Sequence, residues 1–114
     1  MTIELLGEDE RKLAAVAKER RERTFEERFR EYDATNPTVY RLLVHFSRQL
    51  RDRGYHRAGI RNVWERMRWE MMLATSDPAG FKLNDHFTSR YARKIMAENP
   101  DLREFFRTRE LRSK

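Results

Sequence analysis

The sequence predicts an all-α fold: four to five helices around one core, with a helix-turn-helix-like C-terminal half and a tail that could form a short wing. Three observations predict it. Apolar residues recur at spacings of three and four through successive stretches of the chain, the signature of helix faces. Asn-Pro, Gly and Asp-Pro-Ala-Gly signals punctuate those stretches where helices start and stop. Finally, 114 residues suffice for a single core. Seven Phe, four Tyr and two Trp can fill that core, and a 39% charged share coats the outer faces of its helices.

The first element spans about Glu8 to Arg23, where Glu, Lys, Arg and Ala alternate, all good helix formers. Its apolar stripe is thin: Leu13, Val16 and Ala17. Thr24-Phe25-Glu26-Glu27 then reads as a capping box, followed by Phe25, Phe29 and Tyr32 on one helical face. Either a helix restarts at Thr24 or one helix runs from Glu8 to Tyr32. Residues 1–35 thus form a charged helical segment ahead of a compact helical domain over residues 36–114, one domain overall.

Asn36-Pro37 opens the next helix, since Pro in the first turn lacks an amide that would go unpaired anyway. Val39, Leu43, Phe46 and Leu50 form its inner face, and Gly54 closes it. A third helix, about 58–74, carries Ile60, Val63, Trp64, Met67 and Met71 on one face and Trp69, Met72 and Leu73 off it. Apolar residues on more than one side predict the most buried helix of the fold. Trp69, off the stripe, would pack under the N-terminal helix or anchor a partner. Thr75 to Gly80 is a loop, Asn84 or Asp85 caps a fourth helix over about 85–98, and Asn99-Pro100 ends it. Phe87, Tyr91 and Ile95 face inward on that helix, and Leu102, Phe105 and Phe106 make one more turn back to the core.

The absence of cysteine excludes disulfides, thiol catalysis and cysteine zinc sites. Glycine and acids cut short the first apolar group, Ile3, Leu5 and Leu6, so no signal peptide or membrane span is read and a cytoplasmic protein is expected. His45, His56 and His86 share no metal-ligand spacing, and no phosphate-loop, dinucleotide or nucleophile-elbow motif occurs. Asp77, Lys82 and Asp85 lie close in sequence, faintly as in a nuclease metal site, but no strands are expected to hold them. No enzyme activity, cofactor or metal is therefore expected.

The net charge of +6 is unevenly spread. Residues 1–40 carry eight basic and ten acidic side chains, residues 41–69 eight against two, and residues 82–114 nine against five. A segregated positive surface suits a polyanion. An Arg-biased composition would produce a similar surplus without any such role. In a helix-turn-helix arrangement the second helix offers its outer face to the major groove. Here that face holds His86, Thr88, Ser89, Arg90, Arg93 and Lys94, with hydroxyls for phosphates and guanidinium groups for guanine edges. Tail residues Arg107, Arg109, Arg112 and Lys114 would follow a neighbouring strand.

A second basic cluster, from Arg48 to Arg68, includes Arg57 and Arg61 with Tyr55 and His56 among them. The alternative for those arginines is pairing with Glu26, Glu27 or Glu31. The expected nucleic-acid contacts are Arg57, Arg61, Lys82, Thr88, Ser89, Arg90, Arg93, Lys94, Arg107 and Arg109. Duplex DNA is the leading partner, and composition does not separate it from RNA. The other functional class is a protein-interaction module, in which the N-terminal helix docks on a partner or on a second copy.

Asn36-Pro37-Thr38-Val39-Tyr40, Trp64-Glu65-Arg66-Met67-Arg68-Trp69, Phe81-Lys82-Leu83-Asn84, Tyr91-Ala92-Arg93 and Phe105-Phe106-Arg107-Thr108-Arg109 carry a resemblance. Over roughly its last two-thirds the chain resembles small proteins of unknown function encoded in bacterial, prophage and phage genomes. The resemblance implies a mobile-element or host-defence setting; in that setting the nucleic-acid reading gives a phage or prophage regulator and the interaction reading a phage-encoded inhibitor or adaptor. It implies no activity and no site residue.

Overall fold

The computed structural model describes residues 3–107, without the side chains of residues 3–8 and 22–23. Four helices carry the fold: α1 (Ile3–Thr35), α2 (Pro37–Asp52), α3 (Ile60–Ala74) and α4 (Thr88–Glu98). Short 3-10 turns occupy Pro78–Gly80, Asp85–Phe87 and Pro100–Leu102, and the described residues contain no strand. The chain divides into two units, Met1–Thr35 and Asn36–Lys114.

The described part of the first unit, Ile3–Thr35, is one continuous helix, so no restart occurs at Thr24. The Thr24 hydroxyl donates to the Arg20 carbonyl at 2.7 Å, a bond within the helix interior. A threonine facing back along its own helix has no free amide to cap, which is why the sequence signal for a capping box is not realised. Leu13 and Val16 are exposed.

The second unit holds a core drawn from three helices and the C-terminal turn. Val39, Leu43 and Phe46 from α2 meet Val63, Trp64 and Met67 from α3 and Tyr91, Ala92 and Ile95 from α4, all buried. The Trp64 and Tyr91 rings lie 6.1 Å apart at a tilt of 36°, within the range of favourable aromatic pairs. Leu102, Phe105 and Phe106 close the core from the C-terminal side, the two Phe rings meeting edge to face at 5.2 Å. Among the described residues Ser47 is the one buried polar residue, and its hydroxyl is satisfied by the Leu43 carbonyl at 2.7 Å.

The expectation that α3 is the most buried helix is corrected. Only Val63, Trp64 and Met67 of α3 are buried, against five residues of α2. Trp69, Met72 and Leu73 are 61%, 47% and 70% exposed. The apolar positions off the main stripe widen the hydrophobic surface of α3 outward, and they do not mark a helix enclosed on all sides.

Polar contacts lock the two ends of this unit. The Tyr40 hydroxyl donates to Glu98 Oε1 at 2.8 Å and accepts from Asn99 Nδ2 at 3.0 Å. Asn99 Nδ2 also donates to the Ile95 carbonyl at 2.9 Å, so this side chain caps the end of α4. At the start of α4, Asn84 Oδ1 accepts from the His86 amide at 3.0 Å and nucleates the 3-10 turn Asp85–Phe87 that leads into the helix.

Candidate nucleic-acid interface

The end of α2 shapes the interface. Gly54 takes a φ of +103°, which L side chains rarely adopt. Its amide donates to the Arg51 carbonyl at 2.9 Å, and the Tyr55 amide donates to the Leu50 carbonyl at 3.1 Å. This double closure reverses the chain and satisfies the last carbonyls of the helix. The segment after it runs beside the C-terminal residues, where the Ala58 amide donates to the Phe105 carbonyl at 3.0 Å in a single parallel bridge between Ala58 and Phe106. Arg57 precedes the bridge on one strand of chain and Arg107 follows it on the other, so residues 50 positions apart in sequence share one end of the domain.

Four arginines, Arg53, Arg57, Arg103 and Arg107, stand exposed here and, among the described residues, take part in no ion pair. The carboxylates nearby are largely claimed by other arginines. Arg48 Nε donates to Asp101 Oδ2 at 2.9 Å and its Nη2 donates to Asn99 Oδ1 at 3.0 Å. Arg51 lies 3.1 Å from Asp52 and 3.9 Å from Asp101. The hydrogen bond from Arg48 holds the Asp101 carboxyl below the usual carboxylate range. Glu104, also exposed, is the remaining acid at this end.

Other arginines of the 48–68 cluster find carboxylates within the second unit. Arg61 approaches Asp85 at 3.6 Å, Arg68 approaches Glu65 at 3.7 Å, and Arg66 bonds Glu70 while its guanidinium lies 4.6 Å from the Phe46 ring centroid. Exposed pairs of this kind contribute little stability, about 0–1 kcal/mol. They do reduce the charge that α3 offers to a polyanion.

The expected contacts on α4 are drawn partly into the fold. Ser89 is exposed, but Thr88, Arg90, Arg93 and Lys94 are half-buried. Nη1 of Arg93 is inaccessible to solvent, and Lys94 Nζ sits 4.4 Å from the centroid of the Tyr40 ring. Lys82 is exposed in the link between α3 and α4. That link runs over residues 75–87, far longer than the usual turn of about 3–4 residues in a helix-turn-helix. The structure therefore brings Arg57 together with Arg107 and places Arg61 beside the entry to α4. Arg109 lies outside the described residues, as does the tail considered for a wing beyond Arg107; Phe106, just before that tail, makes the bridge with Ala58.

Arg53 and Arg103 were not among the expected contacts. Arg53 belongs to the basic cluster visible in the sequence, whereas Arg103 stands alone between acids in a short turn and carries no local signal. Among the described residues no group of three His, Asp or Glu is placed to hold a metal ion, and no helix is long and apolar enough to cross a membrane. Comparison with known proteins finds no matching family model, no matching curated protein and no matching solved structure.

Proposed function

We propose that this protein binds nucleic acid without catalysing a reaction, holding the phosphate backbone with Arg53, Arg57, Arg103 and Arg107. One observation carries the reading: four exposed arginines, without ion-pair partners among the described residues, lie on two distant chain segments that a backbone bridge joins. An unpaired cation cluster is poorly explained by stability, since like charges brought together repel, and it is well matched to a polyanion. In the duplex form of this reading, Ser89, Thr88 and Arg90 at the start of α4 and Lys82 before it face the groove. A regulator of a phage, prophage or other mobile element is the role that fits the resemblance.

Fluorescence anisotropy with labelled duplex DNA tests the reading. Arg57→Glu and Arg107→Glu should each weaken binding several-fold and more steeply at low salt. Arg41→Glu makes the same change of charge near the other end of α2, about 18 Å along the helix from Arg53 at roughly 1.5 Å per residue, and should matter far less. Equal effects of all three would mean that net charge alone governs binding and would sink the assigned interface.

The exposed row Trp69, Met72 and Leu73 favours a second reading, a protein-interaction module. Leu13 and Val16 on α1 offer a further exposed apolar stripe for a partner or a second copy. Sedimentation equilibrium of the full chain, and of a Trp69→Ala, Leu73→Ala variant, separates self-association from the nucleic-acid reading.

A further inference from the structure

The basic end is also concave. Arg51, Tyr55 and His56 face the segment Pro100 to Phe105 across a hollow of about 300 Å³, at the small end of the roughly 300–1,000 Å³ typical of ligand clefts. Its composition is specific. Leu102 and Phe105, both buried, lie beneath it beside the exposed Pro100. Arg103 brings a cation without an ion-pair partner among the described residues, while Arg51 is shared with Asp52 and Asp101. Asp101 and Glu104 place carboxylate acceptors on the same rim.

Tyr55 is the informative wall. It occupies the residue after the positive-φ glycine, where a helix closure of this kind commonly folds an apolar side chain back onto the helix. The backbone part of that closure is made, yet Tyr55 is 59% exposed. An aromatic ring on a hydrogen-bonded turn, left outside the core and beside a hollow, is a preformed stacking surface. A simple anion would gain nothing from the ring and would be repelled by Glu104. A nucleotide uses all three features: a base face for Tyr55, amino or ring N–H groups for the carboxylates, and a phosphate for Arg103.

We infer that this hollow receives one unpaired nucleotide, its base against Tyr55 and its phosphate at Arg103 and Arg51. This inference rests on the nucleic-acid reading above and deepens it. Bases inside a duplex are stacked on both faces and cannot offer one to Tyr55. The preferred ligand is therefore a single strand, or a single-stranded stretch adjoining a duplex, with Arg53, Arg57 and Arg107 on the flanking phosphates.

The full chain is titrated with single-stranded DNA, single-stranded RNA and a long blunt DNA duplex of one sequence, each also carrying 2-aminopurine as a stacking reporter. The single strands should bind more tightly than the duplex, and the stronger of the two strand arms identifies its source. Tyr55→Ala should weaken single-strand binding roughly 5- to 150-fold, the range for loss of one base–aromatic stack. It should also abolish the quenching of 2-aminopurine and leave duplex binding unchanged. Tyr55→Phe should retain both signals, and since Tyr55 is exposed neither change disturbs the core. If single strands and duplex bind equally and Tyr55→Ala behaves as wild type, the nucleotide site is overturned while the backbone reading stands. If none of the three ligands binds, both fall together.

Discussion

Replacing Leu102 by Ala tests whether the C-terminal segment belongs to the core that presents the basic end. Leu102 is 1% exposed within the turn Pro100–Leu102, and the Phe105 amide donates to its carbonyl at 3.0 Å. Removing a buried leucine side chain costs about 2–5 kcal/mol, depending on how far the surroundings close over the cavity. Here the hollow of about 300 Å³ lies against the same residue, so water and the short turn can relax into the space. That places the expected loss in the lower part of the range, about 2–3 kcal/mol, a large share of a typical total of about 5–15 kcal/mol. Urea unfolding followed by circular dichroism should show the midpoint falling by about 0.7–3 M at an unchanged slope of roughly 1–3 kcal/mol per M. Nucleic-acid affinity should fall as well, because Arg103 and Arg107 are positioned by this segment. A loss under about 1 kcal/mol would refute the reasoning, since a leucine sealed into the core cannot be removed so cheaply.

Three further outcomes follow from the same contacts. Gly54→Ala should cost about 1–2 kcal/mol in urea unfolding, entirely from backbone strain at φ +103°, because an added Cβ meets nothing within 4 Å. Tyr40→Phe should cost about 1 kcal/mol by removing the hydroxyl that joins Glu98 and Asn99, and a Tyr40→Phe, Asn99→Ala double-mutant cycle should show coupling. Acidification should weaken the fold partly through Asp101. Its folded pKa is depressed by Arg48, so its contribution is full above the ordinary carboxylate value and is lost as pH falls through the lower folded value. Between about pH 6 and about pH 3 the wild type should therefore lose more stability than Asp101→Asn.

Much of the fold was legible because helix faces and helix ends write themselves into short spans of sequence. Asn36-Pro37 does open α2, and Gly54 does close it with a positive φ. Phe87, Tyr91 and Ile95 do face inward, and Leu102, Phe105 and Phe106 do return to the core. Thr24 misled because the same residue type caps a helix or bonds back within one, and the choice depends on whether the helix has already begun. Trp69, Met72 and Leu73 misled because an apolar side chain records what it could bury, not whether anything covers it.

The candidate site was less legible for a different reason. Charge pairing is a tertiary property: Arg61 reaches Asp85 and Arg48 reaches Asp101, each across a distance in sequence that no local pattern signals. Among the described residues Arg53, Arg57, Arg103 and Arg107 take part in no such pair, and the bridge between Ala58 and Phe106 brings their two chain segments to one end. The α4 face, the more conspicuous candidate in the sequence, has Arg93 and Lys94 packed partly against their own domain.

The salt dependence of binding tests the central claim most directly. Each phosphate contact on duplex DNA contributes about −0.9 to the slope of log K against log salt, so four arginines should give a slope of roughly −3 to −4. Arg57→Ala and Arg107→Ala should each flatten that slope by about 0.9. Binding that persists at a slope near zero, or a slope that neither substitution changes, would contradict the assignment of this end of the domain to the phosphate backbone.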